Sequence, residues 1–271
     1  MEKYDIVILA GQSNAEGQGQ GDVTKPFVPD ERIHIMKDDT NFKFVTTNGV
    51  SVLTGKWPAE NTITVADEWL HPVRGKMGCF ALQFAEKYVE KYLAADRKVL
   101  IVNANFGGTG FARPEWGVGN IMHERMISMT QYALNLNPEE NRVVALLWAQ
   151  GEHDSFENAD WDPEKRYTTH KANLIATFSD LQEKLDDKSF PLLACGFPDT
   201  FCESLPEATA AVLKAIREVI ADFGGLYVDS TGLPSNAIKM GSGDIYHYCK
   251  ESLHILGGRF FEKYCQLRGE N

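Results

Sequence analysis

The 271-residue chain lacks the long apolar run that a membrane span requires. Its N-terminus, MEKYDIVILAGQSN, places Glu2, Lys3 and Asp5 before an apolar stretch of about five residues, too short for a secretory h-region or a bilayer. This implies a chain that starts at its own first strand and works in the cytoplasm. Positive charge is also in short supply: 27 Lys and Arg against 38 Asp and Glu leave a formal net charge of -11. Polyphosphate binding draws on cationic surface and counterion release, so neither nucleic acid nor an anionic membrane is an expected partner. The five cysteines, Cys79, Cys195, Cys202, Cys249 and Cys265, are odd in number and lack CxxC spacing, which argues against a disulfide framework and a zinc site and for reduced, packed thiols. His34, His71, His123, His153, His170 and His254 show no HExxH or other paired-ligand spacing, so no metal and no cofactor is expected. No Pro/Ser-rich linker or repeat divides the chain, and 43% hydrophobic residues suffice for a substantial core, so residues 1–271 read as one domain.

What is present is an alternation of two patterns. Continuous apolar runs occur at YDIVILA (4–10), KVLIVNA (98–104), RVVALLWA (142–149), FPLLACGF (190–197) and GLYVDS (225–230), the composition of strands covered on both faces. Segments with helical spacing lie between and after them: 79–93, 121–136, 165–185, 207–223 and 253–264. In the first, Ala81, Phe84, Ala85, Tyr88 and Tyr92 form one apolar stripe. Strand then helix, five times over, predicts a three-layer α/β/α sandwich with a mainly parallel five-stranded sheet. Residues 15–77 break the rhythm. This loop-rich insertion carries short alternating pieces, RIHIM, FKFVTT and SVLTGKWP, that suit a β-hairpin excursion bordering the active site.

In parallel α/β sheets the ligand crevice lies at the carboxyl ends of the strands. The first strand is followed by Gly11-Gln12-Ser13-Asn14, the second by Asn105-Phe106-Gly107-Gly108-Thr109-Gly110, the third by Gln150-Gly151-Glu152-His153-Asp154, and the last helix is preceded by Gly243-Asp244-Ile245-Tyr246-His247. A hydroxyl, a glycine pair, an amide with acids, and an Asp/His pair are the parts of a serine hydrolase: nucleophile, base, orienting acid and oxyanion donors. Each part alone has a plainer reading. DxxH is more often a helix cap beside a surface histidine, glycine pairs mostly make turns, and Glu152 could be a structural ion-pair partner. The opening motif is not the GxSxG elbow, since Ala15 stands in place of its second glycine, and GQSNAEGQGQG lacks the GxxxxGK[ST] phosphate loop, with no clear helix after it.

GQSN after the first strand, GGT after the second, WAQGExD after the third and DxxH before the last helix resemble the SGNH hydrolases, whose fold is flavodoxin-like. More closely, the chain is similar to their carbohydrate-esterase branch, which includes acetylxylan esterases of family six and sialate O-acetylesterase relatives. The resemblance spans nearly the whole chain, with MGCFALQFAEKY and LHILGGRFFEKY also similar to that branch. It implies Ser13 as nucleophile, His247 as general base, and Asp244 as the acid that orients the histidine, with Glu152 as an open alternative. It implies an oxyanion hole built from the backbone N–H of Ser13, a backbone N–H of the Gly107-Gly108 turn and the side-chain amide of Gln150. Gln12, Asn14, Thr109, Trp116 and His153 are the expected substrate-binding residues. Trp57, Trp69 and Trp161 are further candidates for stacking on a pyranose, although partial packing is the more ordinary fate of a loop tryptophan. Two departures stand out: Gly110-Phe111 follows GGT, and Tyr246 and Tyr248 give His247 an aromatic surround. The implied activity is removal of O-acetyl groups from small acetylated carbohydrates, xylo-oligosaccharide or sialic acid in type, through an acyl-enzyme. The competing readings are a general short-chain esterase and a catalytically silent sugar-binding homologue.

Overall fold

The computed structural model describes residues 1–72 and 75–270. The chain opens with strand β1 (Tyr4–Gly11), buried along its whole length. A single-turn helix, α1 (Ser13–Glu16), follows at once, where the sequence reading expects no helix; one turn is too short to leave a period. The 15–77 segment, apart from residues 73 and 74, which lie outside the described residues, then supplies β2 (Ile33–Asp38), β3 (Lys43–Thr47), β4 (Val50–Thr54), β5 (Asn61–Val65), β6 (Trp69–His71) and β7 (Gly75–Met77). Beyond it come α2 (Ala81–Lys91), β8 (Lys98–Asn105), α3 (Ile121–Asn135), β9 (Arg142–Ala149), α4 (Glu152–Phe156) and α5 (Pro163–Lys184). The chain continues with β10 (Leu192–Cys195), α6 (Asp199–Ser204), α7 (Pro206–Asp222), β11 (Leu226–Val228), α8 (Asn236–Met240) and α9 (Lys250–Leu267).

The main sheet has seven strands, in the order β11-β10-β9-β1-β8-β2-β5, rather than the expected five. The two extra strands come from the insertion. RIHIM becomes β2, which pairs parallel to β8, and β5 pairs antiparallel to β2 at the edge. FKFVTT and SVLTGKWP do form an antiparallel hairpin, β3 with β4, outside the main sheet.

Alternation along the central strands splits the core in two. Ile6, Ile8 and Ala10 of β1 face a cluster with Trp148, Met122, Phe178 and Ile216, so α3, α5 and α7 cover that side. Val7 and Leu9 face the other cluster, with Phe84, Tyr88, Leu253 and Phe260 from α2 and α9. The result is the expected three-layer sandwich, and both faces of the sheet are dry, which is why its strands read as unbroken apolar runs.

Register brings the strand ends level. Gly11 pairs with Asn105 of β8 on one side and Ala149 of β9 on the other, so the turns after β1, β8 and β9 begin side by side at one sheet edge. At Gly11, φ is 138° and a Cβ would meet the Ala149 carbonyl at 2.0 Å, so only glycine lets the chain leave β1 pressed against β9.

Candidate active site

Ser13 is the first residue of α1, directly past the end of β1. Its Oγ lies 2.8 Å from Nε2 of His247, across 234 residues of sequence. Nδ1 of His247 lies 2.8 Å and 2.9 Å from the two carboxylate oxygens of Asp244. Burial pushes the Asp244 carboxyl up, but hydrogen bonds from His247 and Asn236 outweigh it and hold the group below the usual carboxylate range. The ionised Asp244 can only accept, so Nδ1–H donates to it and Nε2 is left to accept the Ser13 hydroxyl proton.

Asn236, which no motif marked, fixes this arrangement. Its Nδ2 donates to Asp244 Oδ2 at 2.9 Å and to the Gln18 carbonyl at 3.1 Å, and its Oδ1 accepts from the Gln20 N–H at 2.8 Å. One buried amide thus ties Asp244 to the loop that follows Ser13. Its signal in the sequence is only an Asn at the start of a short helix.

Glu152, the alternative acid, stands elsewhere. It accepts a 2.5 Å hydrogen bond from Asn14 Nδ2, and its Oε2 has no hydrogen-bond partner. Burial pushes its carboxyl up to about 7. Asn14 Nδ2 also donates to the Tyr246 carbonyl at 3.0 Å, while Asn14 Oδ1 accepts from the Tyr248 N–H at 3.1 Å. Asn14 is therefore a strut between Glu152 and the His247 segment, fully occupied and buried, and not the substrate contact expected of it.

A cavity of about 430 Å³ contains Ser13 and His247 and is walled by Gln12, Glu16, Gln18, Phe44, Gly107, Gly108, Glu152, His153, Phe156 and Tyr246. The Gly107-Gly108 turn is beside Ser13: a Cβ at Gly107 would lie 3.4 Å from that of Ser13. Gln12 Oε1 accepts from the His153 and Gly151 N–H groups at 3.2 Å and 3.5 Å, which turns its amide nitrogen the other way. His153 packs edge-on to Phe156 with its Nε2 2.9 Å from Glu157, and burial holds its imidazole below the usual value.

Besides Asn14, three residues expected in the oxyanion hole or against the substrate are not on this wall. Gln150 Nε2 donates to Asp154 Oδ2 at 2.7 Å. Asp154 also accepts from the Phe111 and Ala112 N–H groups at 2.7 Å and 2.6 Å and lies 3.0 Å from His170 Nδ1, so the motif's last acid clamps the loop after GGT and draws the Gln150 amide inward. Thr109 Oγ1 donates to the Phe106 carbonyl and accepts from Trp116 Nε1 at 2.9 Å. Trp116 is fully buried and edge-on to Trp148, with no face for a sugar. Trp57 and Trp161 do not line the cavity, and Trp69 lines a separate recess of about 250 Å³. The rings that do line it, Phe44, Phe156 and Tyr246, were missed. Only the aromatic surround of His247 hinted at one of them.

All five cysteines are free thiols. Among the described residues there is no cluster of three His, Cys, Asp or Glu side chains fit to hold a metal, and no helix is long and apolar enough to cross a membrane.

Comparison with known proteins places this geometry. The structure is similar to NanS (TM-score 0.74, 19% identity, 100% of each chain covered) and to a protein of Arabidopsis thaliana (TM-score 0.66, 18% identity, 98% of this chain and 99% of that one). It is also similar to a carbohydrate acetylesterase from Xanthomonas citri (TM-score 0.60, 15% identity), covering 98% of this chain and 57% of that one. At these identities the likeness is one of fold, and it agrees with the SGNH architecture expected from the motifs. No curated protein sequence matches the chain. The family described as carbohydrate esterase, sialic acid-specific acetylesterase matches residues 3–266. With nearly its whole length matched, the chain belongs to that family of carbohydrate O-acetylesterases and is a carboxylic ester hydrolase.

Proposed function

We propose that the protein removes O-acetyl groups from small acetylated carbohydrates, of the xylo-oligosaccharide or sialic acid type, by acetyl transfer through Ser13. The observation that carries this reading is the unbroken chain from Ser13 Oγ through the His247 ring to Asp244, opening into a cavity of about 430 Å³. As Ser13 Oγ attacks the ester carbonyl, His247 Nε2 takes its proton, and Asp244 stabilises the imidazolium that results. His247 then returns the proton to the departing sugar oxygen, leaving acetyl on Ser13. Water, deprotonated by the same nitrogen, releases acetate.

The developing oxyanion needs preorganised donors. The N–H of Ser13, in the first turn of α1, is one that the helix itself cannot pair. A backbone N–H of the Gly107-Gly108 turn is the second. With Gln150 bound to Asp154, the side-chain donor that fits best is Gln12, whose nitrogen faces away from its two backbone bonds.

The test is acetate release from a panel of acetylated saccharides, with p-nitrophenyl acetate and butyrate as simple esters. Ser13→Ala abolishes hydrolysis, and Asp244→Asn lowers kcat on the order of 10,000-fold by presenting the wrong tautomer. Undiminished turnover by Ser13→Ala would remove the serine from the mechanism, and a preference for butyrate over acetylated sugars would reassign the enzyme as a general short-chain esterase.

A further inference from the structure

Next to the catalytic cavity is a larger one, of about 710 Å³. The two are separated by a partition made of two side-chain pairs, each with one member in each cavity. Phe44, on the catalytic side, lies under Arg113, on the outer side, with the guanidinium 4.6 Å from the ring centre. His153, on the catalytic side, meets Glu157, on the outer side, at 2.9 Å. Both volumes fall within the range of roughly 300 to 1,000 Å³ typical of small-molecule sites.

We infer that the outer cavity is a second saccharide subsite, which holds the neutral, unacetylated neighbour of the sugar whose ester meets Ser13. The inference rests on the esterase reading and narrows its substrate to acetylated oligosaccharides of two or more residues. The lining matches a pyranose, which has an apolar face and a hydroxyl edge. Val52, Pro114 and Ile121 are apolar, while Asn120, Asn158 and Glu157 offer amide and carboxylate groups to hydroxyls.

The charges exclude an anion as the occupant. Arg113 is the cation of the lining, set against the carboxyls of Glu115 and Glu157. It is already engaged: Nη2 donates to the Gly108 carbonyl at 2.6 Å, the guanidinium covers Phe44, and Nε lies 3.5 Å from Glu115. Its task is to hold the glycine turn against the hairpin β3–β4, which leaves hydroxyl recognition to the amides.

The experiment fills the cavity from its exposed rim. Val52 is 55% exposed on β4 and has no part in the catalytic wall. Wild type, Val52→Trp and Val52→Lys are compared on p-nitrophenyl acetate, an acetylated xylose, the matching acetylated xylotriose and an acetylated sialic acid. Wild type prefers the trisaccharide over the monosaccharide by about tenfold in kcat/KM, the equivalent of about 1.4 kcal/mol. Val52→Trp erases that preference while leaving p-nitrophenyl acetate within roughly twofold of wild type, and Val52→Lys leaves the ranking of substrates as it was. Equal kcat/KM for mono- and trisaccharide in wild type, or an equal loss on all substrates in Val52→Trp, overturns the subsite. A gain on acetylated sialic acid in Val52→Lys overturns its neutral occupant. Failure of the esterase reading has a different signature, p-nitrophenyl acetate hydrolysis that is absent or survives Ser13→Ala.

Discussion

Glu152 is a carboxyl that burial raises from 4.5 to about 7, against the hydrogen bond from Asn14, which favours the charged form but does not offset the burial. The sign of its effect on stability follows. Between about pH 4.5 and pH 7 the native state holds a proton that the unfolded chain has released, so stability falls as pH rises through this window and stays lower above it. The shift amounts to roughly 3 kcal/mol near pH 8. Glu152→Gln keeps an acceptor for Asn14 and removes the ionisation. It should unfold later than wild type in denaturant near pH 8, with the difference vanishing near pH 4.5, and it should retain turnover. A loss of turnover equal to that of Asp244→Asn would instead make Glu152 the orienting acid. At this scale, position after β1 drew attention to Ser13 and the DxxH before the last helix to Asp244 and His247, while the roles expected of them came from the family resemblance. Gln150, Asn14 and Thr109 belong to the quoted motifs and Trp116 follows GGT, but whether each faces cavity or core is decided by its pairing with Asp154, Glu152, Tyr248 or Trp148, and a motif names residues without saying which of them pair.

Among the elements, α9 does more than cover the sheet. At Gly257 it packs so closely on the start of α2 that a Cβ would lie 2.2 Å from the Phe80 carbonyl, and nearby Phe80 and Phe260 stack at 4.6 Å. The helix begins at Lys250, three residues past His247, so its position sets that of the histidine. Gly257→Ala must push α9 outward, at about 1 to 3 kcal/mol for overpacking. Denaturant unfolding should record this loss, and steady-state kinetics should show kcat falling more than KM changes, because the Ser13 to His247 bond lengthens while the cavity wall remains. A destabilised variant with wild-type kcat would show that α9 and the histidine segment move independently. The eight-residue strands β1, β8 and β9 and the long helices were readable because each carries enough residues to show its pattern, and the shorter β10 and β11 were readable because they lie within longer apolar runs. β2 and β5 were not, since the partly buried β2 of six residues and the edge strand β5 of five announce no partner, and both are set in place by β8, far along the chain.

For the whole molecule, the net charge of -11 is a field that any substrate must cross. Raising ionic strength from about 0.01 M to 0.15 M shortens the screening length from about 30 Å to about 8 Å. The kcat/KM for an anionic acetylated sugar should therefore rise with salt, whereas that for a neutral acetylated xylo-oligosaccharide should stay level; initial rates across a salt series measure both. A fall for the anionic sugar would reveal a locally cationic approach to Ser13. The separation of 234 residues between Ser13 and His247 has a last consequence, in time rather than in space. A ribosome makes Ser13 long before His247, and β1, the middle strand, must wait for β9 before its far edge is covered. On the proposed mechanism the nascent chain therefore carries an unactivated serine until His247 has been made, so esterase activity should appear only once α9 has docked, and the onset of hydrolysis would time the folding of this fold's last helix.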